Sequence, residues 1–184
     1  MGDFWPVPDA LAYLKGSWRV SRTVRDLTSG GLGRFEGTTS FGPLRGDGPP
    51  EDGGLPEDGG LPEDGGLPED GGLLYQESGT FTWQGVSRPA ERTLRFLPAA
   101  GRGSRPGGAV DVRFADGRPF HRLDLSAGRY VADHPCSADL YRGEFTVRDQ
   151  ERWRTVWRVR GPAKDLVLDT GYVRVDRPAT TPGR

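Results

Sequence analysis

The sequence is poor in the residue types that most often carry chemistry or cross-links. Among 184 residues it has one cysteine, Cys136, and two histidines, and only Lys15 and Lys164 of its 25 basic residues are lysine. A lone cysteine cannot form an internal disulfide, which fits a reducing compartment. The sequence contains no run of about 18 apolar residues that could cross a membrane, and residues 1–6 lack the basic and apolar regions of a signal peptide. We therefore expect a cytoplasmic protein with no membrane partner.

One low-complexity segment holds much of the acidic charge. Residues 51–74 contain four copies of Glu-Asp-Gly-Gly-Leu-Pro, the last of which ends in Leu74 instead of proline. Eight of the 26 acidic residues lie there, so the rest of the chain has 18 acidic and 25 basic residues and a net charge of about +7, against −1 for the whole chain. Each unit has two glycines, a proline and one isolated leucine, which bury too little apolar area to offset the entropy of ordering.

The length suits one domain with a real core. We predict a single domain over residues 1–184, with a disordered acidic insert at 45–72. A tolerated repeat in a surface loop is favoured over an acidic flap across a basic mouth or a weak cation site, because the entropy cost of a longer loop grows slowly. The repeat lacks the oxygen-ligand spacing of a calcium loop, so we assign it no metal.

Alternation of apolar and polar residues predicts strands along most of the remaining chain. In the first strand Trp18, Val20 and Val24 alternate with polar residues, which is the period of a sheet with one buried face. We predict ten strands, at 18–24, 34–41, 73–83, 92–97, 110–114, 119–125, 129–132, 139–147, 152–160 and 166–175. Turn signals rich in glycine, aspartate and proline separate them. Short strands in meander order with almost no helical period indicate an all-β fold, an antiparallel up-and-down barrel or a sandwich.

One short helix is predicted before the first strand. Pro8 suits a first helical position, Asp9 complements the amino-terminal dipole, Leu11 and Leu14 fall on one face, and Gly16 can end the helix. A helix that leads directly into the first strand would close one end of a barrel. This position favours the barrel over the sandwich.

The motif Gly16-Ser17-Trp18 after this helix resembles the start of the first strand in the calycin superfamily, the lipocalin and fatty-acid-binding-protein group. In that group a basic residue of the last strand stacks on the tryptophan, and Arg174 stands at the matching position. The resemblance implies a lipocalin-like barrel in which Trp18 is buried beneath Arg174.

Longer motifs resemble a narrower group. They are Tyr13-Leu14-x-Gly16-x-Trp18, Leu74-Tyr75-x-Glu77-x-Gly79, Phe114-x-Asp116-Gly117-Arg118-x-Phe120-His121-x-Leu123-Asp124, His134-x-Cys136-x-x-Asp139-x-Tyr141-x-Gly143 and Trp157-x-Val159-x-Gly161-Pro162-x-Lys164-Asp165. Together they resemble an uncharacterised family of small lipocalin-like β-barrels, domain-of-unknown-function family 6314, over nearly the whole chain outside the repeat. The resemblance implies the barrel and no reaction, so site residues must be argued from their chemistry.

The two-residue period places Arg22, Glu77, Asp139 and Tyr141 on the inward faces of their strands, among aromatic neighbours. Buried charges need partners, so one interpretation is an internal ion pair between Arg22 and either Glu77 or Asp139. The other makes Arg22 an anchor for a ligand carboxylate or phosphate through its bidentate fork. The two are compatible in a barrel with a wet cavity.

We predict that the barrel interior binds a small, partly apolar, anionic molecule. The candidate ligand-binding residues are Arg22, Tyr75, Glu77, His121, Tyr141, Trp157 and Lys164. Lys164 follows a Gly161-Pro162 turn at the barrel rim, where capping of carbonyls or pairing with Asp165 is favoured over a Schiff-base role. No motif assigns a cofactor.

An enzyme that uses the same cavity is the main alternative. His134, Asp139 and Tyr141 are the candidate catalytic residues for the acid–base chemistry of an isomerase, cyclase or lyase. Less favoured are a nucleophilic pair of Cys136 and His134, a zinc site from His121, His134 and Cys136, and a haem held by one histidine as in nitrobindin-like barrels. Whether the chain catalyses a reaction stays open at this point, and no metal is assigned.

The basic body also raises the question of nucleic-acid binding. Its arginines are spread over many strands, mostly at outward positions, and there is no basic-aromatic stripe of the RNA-recognition type. A solvated arginine-rich surface without a nucleic-acid partner is therefore the prediction. A filled barrel that acts as a protein-interaction module is a further alternative, and the sequence leaves the oligomeric state open.

Overall fold

The computed structural model describes residues 4–44, 71–99 and 108–175. This part of the chain contains one helix, α1 (Ala10–Leu14), and ten strands. The strands are β1 (Gly16–Asp26), β2 (Leu32–Pro43), β3 (Leu73–Trp83), β4 (Val86–Pro98), β5 (Ala109–Phe114), β6 (Pro119–Asp124), β7 (Arg129–Cys136), β8 (Asp139–Val147), β9 (Arg152–Gly161) and β10 (Lys164–Arg174). None of the helical structure in these ranges is long and apolar enough to cross a membrane.

The ten strands form one antiparallel sheet in meander order. The spatial order is β6-β5-β4-β3-β2-β1-β10-β9-β8-β7, so β1 pairs with both β2 and β10. The two outer strands, β6 and β7, lie against each other without a ladder between them in the described residues. The sheet is therefore a nearly closed barrel, which confirms the predicted fold class and the number of strands.

Two strands extend past prolines where the sequence pattern predicts a break. Pro89 lies inside β4 and pairs with Thr80 of β3, but β5 pairs with β4 only from Leu94 onward. Pro135 lies inside β7, whose ladder runs to β8 alone. In both places one edge of the strand has no ladder partner, so a proline without an N–H group can be accommodated there. This explains why the predicted strands 92–97 and 129–132 are too short.

Helix α1 closes one end of the barrel. Asp9 is its N-cap, because its side chain accepts a hydrogen bond of 2.9 Å from the amide of Ala12, and the helix begins two residues after the predicted first position, Pro8. Leu14 is fully buried, and its carbonyl accepts a hydrogen bond of 2.8 Å from the Trp18 indole. The helix is thereby fixed to the first residues of β1.

The predicted calycin-like closure is present at this end. Trp18 is fully buried and is the register partner of Arg174 on β10. The Arg174 guanidinium lies 4.0 Å from the centroid of the Trp18 ring and donates to the carbonyls of Tyr13 and Lys15 at 2.7 and 3.1 Å. A stacked cation thus also satisfies carbonyls at the end of α1, which no longer have helical partners.

We call the opposite end of the barrel the mouth. It is formed by the hairpins that join β1 to β2, β3 to β4, β5 to β6, β7 to β8 and β9 to β10. The predicted acidic insert at 45–72 falls almost wholly outside the described residues. Its two described ends meet at the helix end of the barrel, where the amide of Leu44 donates to the carbonyl of Gly72 at 3.0 Å. The insert is therefore attached at the end away from the mouth, so nothing in its attachment supports the acidic-flap interpretation.

Candidate functional site

The barrel interior changes character from the helix end to the mouth. Next to α1 it is packed with aromatic rings, for example Trp153, which stacks on Tyr172 at 3.7 Å between centroids and lies edge-on to Trp18 at 6.1 Å. A charged and polar layer follows near the middle of the strands, and a second group of aromatic rings lies towards the mouth. The polar layer and the mouth group form the candidate site.

The centre of the polar layer is a buried ion pair. The two Nη atoms of Arg22 donate to the two carboxylate oxygens of Glu77 at 3.0 and 2.6 Å, and only 14% and 3% of the two side chains are exposed. Arg22 Nε donates to Thr170 Oγ1 at 2.9 Å, and the Tyr75 hydroxyl donates to Glu77 Oε2 at 2.6 Å. Of the two ion pairs considered from the sequence, the structure contains Arg22–Glu77.

The local electrostatics favour a charged Arg22 and a neutral Tyr75. Burial works against the charged form of Arg22, but the neighbouring Tyr172 and the hydrogen-bonded Glu77 outweigh it and hold the pKa of Arg22 above its ordinary value. Burial also raises the pKa of Tyr75 well above its ordinary value, with Tyr172 and Glu77 adding to the effect. A phenol that keeps its proton can donate to the carboxylate, as the geometry requires.

A cavity of about 90 Å³ lies beside the ion pair, on the mouth side. Its walls combine two arginines, two threonines and mostly aromatic or aliphatic side chains; they are Arg22, Arg92, Phe120, Tyr141, Thr155, Trp157, Val159, Leu168, Thr170 and Tyr172. Three of the predicted ligand-binding residues, Arg22, Tyr141 and Trp157, therefore line one cavity. Tyr75 and Glu77 lie behind Arg22 and hold it in place.

Arg92 is a cavity residue that the sequence reasoning missed. Its guanidinium lies 5.4 Å from the centroid of the Phe120 ring, and within the described ranges no carboxylate lies at ion-pair distance from it. The signal that could have found it was available, because Arg92, Leu94 and Phe96 alternate on one face of a predicted strand. Applying the two-residue period to that strand would have placed Arg92 on the same face as the other two. In the structure Leu94 and Phe96 are buried, whereas Arg92 is exposed at the edge of the cavity.

The two histidines belong to the aromatic group near the mouth. His121 lies 5.3 Å from Trp157 and 5.2 Å from Phe145 between ring centroids, and its Nδ1 is 2.8 Å from the carbonyl oxygen of Arg122. Burial is the main cause that lowers the pKa of His121 to about 4, against the opposing effect of that hydrogen bond. His134 lies 4.9 Å from Phe120. His121 is therefore a neutral ring at pH 7.

The structure does not bring His134 and Asp139 together as an acid–base pair. The register partner of His134 is Tyr141, with 6.0 Å between the ring centroids. Asp139 accepts a hydrogen bond of 2.5 Å from Lys164 Nζ, which raises the pKa of Lys164. The expected pairing of Lys164 with Asp165 is absent, because Asp165 binds Arg158 across the β9–β10 ladder.

Cys136 and the candidate metal ligands do not form a site. Cys136 is a free and exposed thiol at the β7–β8 turn, where Ser137 has a φ of 54°. In the parts of the chain that the structure describes, no three residues among histidine, cysteine, aspartate and glutamate converge as a metal-binding group. The zinc site considered from the sequence, with His121, His134 and Cys136 as ligands, is therefore not assembled.

Comparison with known proteins identifies a family and a fold. The model of a family described as "Family of unknown function (DUF6314)" matches residues 14–174. No curated protein matches the sequence. Among solved structures, the S-type phycobiliprotein lyase CPES from Guillardia theta is similar, with a TM-score of 0.62 and 10% identity over 91% of each chain. At this identity the similarity shows the fold and does not extend to activity.

Two further barrels match less well. EF1p2_mFAP2b bound to DFHBI has a TM-score of 0.42 and 13% identity, with 91% of this chain and 98% of that chain covered. The redesigned β-barrel b11L5F_LGL has a TM-score of 0.41 and 12% identity, with 94% and 100% covered. These scores are too low to support any argument about function.

Proposed function

The chain belongs to the DUF6314 family of unknown function, and we propose that its barrel binds a small, partly apolar, anionic molecule in the half of its interior that opens at the mouth. The observation that carries the proposal is the cavity in which Arg92, an exposed arginine without an ion pair in the described residues, faces a wall of aromatic side chains. Binding sites for small molecules usually combine an apolar surface with a few charged or polar groups that fix the orientation of the ligand.

Arg92 fits the role of anion anchor better than Arg22 does. Three N–H groups of Arg22 already donate to Glu77 and Thr170, and the carboxylate neutralises its charge. Arg92 has no such partner in the described residues, so a ligand anion would gain its full charge-assisted hydrogen bonds. Arg22 can still contribute its remaining N–H groups to the polar side of the cavity, because an arginine has five.

The size of the cavity limits the ligand. Drug-sized ligands occupy pockets of roughly 300 to 1,000 Å³, whereas this cavity measures about 90 Å³. The ligand is therefore small, or part of it extends through the mouth. A porphyrin is larger than this cavity, so the cavity does not support the haem alternative.

The enzyme alternative has less support than binding. Its proposed general base, His134, makes no hydrogen bond to Asp139, and Asp139 is engaged by Lys164 at the rim. Neither His134 nor Asp139 lines the cavity, whereas Tyr141 does. One of the three candidate catalytic residues therefore reaches the cavity without the other two.

Nuclear magnetic resonance of the indole groups tests the proposal. The chain has five tryptophans, of which Trp157 lines the cavity and Trp5 is 44% exposed near the amino terminus. Titration with hexanoate, a small carboxylate with an apolar chain, should shift the Trp157 indole signal in a saturable way and leave the Trp5 signal unchanged. Saturable shifts that spare Trp157, or no saturable shift with either hexanoate or benzoate, would contradict the proposal.

A further inference from the structure

Among the described residues, one cation of the site has no carboxylate at ion-pair distance. It is Arg92, whose register partner on β3, Glu77, is paired with Arg22 instead. Arg22 is paired with Glu77 inside the barrel, and Lys164 is paired with Asp139 at the rim. Among the described residues Arg92 is the cavity cation without such a partner. His121, beside the cavity wall, is uncharged at neutral pH because its pKa is lowered to about 4, chiefly by burial. The charge that complements this site is therefore a single negative one.

The walls of the cavity are flat aromatic surfaces. Phe120 and Trp157 stack with 5.4 Å between centroids and 13° between planes, and the Arg92 guanidinium lies 5.4 Å from the centroid of the Phe120 ring. Tyr141 and Tyr172 complete the aromatic lining. Faces and edges of rings pack well against a further ring in offset or edge-on contact. The lining thus favours a planar aromatic group over a flexible chain.

The volume sets an upper limit of about one ring. A dry apolar cavity of about 150 Å³ accommodates benzene, so this cavity of about 90 Å³ is too small to enclose a whole six-membered ring. A single ring can enter it in part, with its substituent near Arg92 and the remainder outside the enclosed volume. A second fused ring would have to lie outside the barrel.

We propose that the ligand is a single-ring aromatic monoanion, a carboxylate or sulfonate whose charged group binds Arg92 while the ring contacts Trp157 and Tyr141. This inference rests on the proposed function and narrows it. A dianion would bring a second charge against the apolar cavity wall without a second cation to pair with it, which is unfavourable. A neutral analogue would leave the charge of Arg92 unpaired beneath it.

Isothermal titration calorimetry with matched probes tests the charge. The measurements are made at pH 8.5. Benzenesulfonate and phenylphosphonate have nearly the same shape but carry one and two negative charges at this pH. We expect phenylphosphonate to bind roughly tenfold more weakly than benzenesulfonate, and benzamide roughly tenfold more weakly than benzoate.

A second pair of probes tests the ring. Benzoate and cyclohexanecarboxylate have the same charge and a similar volume, but only benzoate is planar and aromatic. Contacts between aromatic rings add about 0.5 to 1.5 kcal/mol beyond the area they bury, so benzoate should bind a few-fold more tightly. Equal affinity of the two would contradict the aromatic part of the inference.

Two matched variants test the anchor. Arg88 lies on the same face of β4 four residues before Arg92, is exposed and has no ion pair in the described residues. Arg92→Gln should weaken benzoate binding about tenfold or more, whereas Arg88→Gln should leave it unchanged. Equal losses in the two variants would show non-specific attraction to a basic surface and would overturn the inference.

The outcomes separate this inference from the function on which it rests. Saturable binding of hexanoate at Trp157 without binding of benzoate would reject the aromatic ligand and keep the binding function. Tighter binding of phenylphosphonate than of benzenesulfonate would reject the single charge. If neither hexanoate nor any aromatic probe perturbs Trp157, the proposed function itself is wrong.

Discussion

At the scale of single residues, the structure of the barrel interior depends on which hydrogen-bond or ion-pair partner each buried polar group has. Alternation alone predicts that Arg22 and Glu77 face inward, and the structure joins them through two hydrogen bonds. The partner of Arg22 could not be chosen from the sequence, because alternation also predicts that Asp139 faces inward. Only the strand order brings Glu77 to Arg22. The same argument applies to Lys164, whose partner is Asp139 across the barrel rim instead of the adjacent Asp165.

The Arg22–Glu77 pair should be structural as well as a wall of the cavity. Arg22→Met leaves a buried carboxylate without its cation, and Glu77→Leu leaves a buried cation, so each should lower the free energy of unfolding by about 3 kcal/mol or more. The double variant should lose clearly less than the two single losses combined, because neither charge is then left alone. Chemical denaturation of the four proteins measures this. Additive losses would show that the two side chains do not depend on each other.

His121 should make the protein sensitive to mild acid. Its pKa in the folded state is about 4, below the 6.5 of an exposed imidazole, so the unfolded chain binds a proton between these values that the folded chain does not. Stability should therefore fall as the pH drops from 6.5 to 4, by about 3 kcal/mol in total from this group. In His121→Phe, which keeps a ring against Trp157, this part of the loss should disappear from the pH dependence of unfolding. An unchanged curve between pH 6.5 and 4 would contradict the lowered pKa.

At the scale of the elements, the sequence predicts which segments form strands and which of their residues face inward. It does not predict where the strands end. The predicted bounds 73–83 and 139–147 agree with β3 and β8, because turn residues stand at both of their ends. Strands β4 and β7 continue beyond their predicted ends because Pro89 and Pro135 lie where one edge has no ladder. Whether an edge is paired depends on the strand order, which local sequence does not contain.

The β8–β9 pairing also determines the shape of the cavity wall. Gly143 faces Trp157 across this ladder, and a methyl group at Gly143 would lie 2.7 Å from the indole. Gly143→Ala should therefore displace the Trp157 ring, lower the free energy of unfolding by about 1 to 3 kcal/mol and change its fluorescence. Gly171→Ala in β10 is the control, since no atom lies within 4 Å of its added methyl group. Equal effects of the two substitutions would show that Gly143 is not needed for the position of Trp157.

At the scale of the whole molecule, one end of the barrel is packed with side chains and the cavity lies towards the other. Helix α1, Trp18 and Arg174 seal one end, as the calycin resemblance implies, and the described cavity lies towards the other. The fold and the inward faces follow from the pattern of the sequence together with that resemblance. The cavity residue Arg92 and the pairing of Asp139 depend on which strands become neighbours, so they emerge only from the three-dimensional structure.

The acidic repeat should contribute little to the stability of this barrel. Leu44 and Gly72 are already joined by a backbone hydrogen bond, so a shorter link can connect the same strands, and each doubling of loop length costs only about 0.6 kcal/mol. Deletion of residues 51–68, which removes three of the four repeats, should leave the melting temperature within about 5 °C. Thermal unfolding followed by circular dichroism measures this. A much larger drop would show that the repeat packs against the body.

The same deletion separates a role in folding from a role at the mouth. Since the insert is attached at the helix end, benzoate affinity should also be unchanged by the deletion at low and at moderate ionic strength. Tighter binding only at low ionic strength would indicate that the repeat's carboxylates screen the site.

The binding site is tested most directly by a crystal structure of the protein grown with benzoate at pH 8.5. We predict density for one planar ring inside the barrel, with its carboxylate at hydrogen-bond distance from Arg92 and its ring against Trp157 and Tyr141. Arg22 should remain paired with Glu77 in the same crystal. Benzoate bound on the outer surface, with the interior filled by side chains alone, would contradict the claim that the open half of the barrel is the binding site.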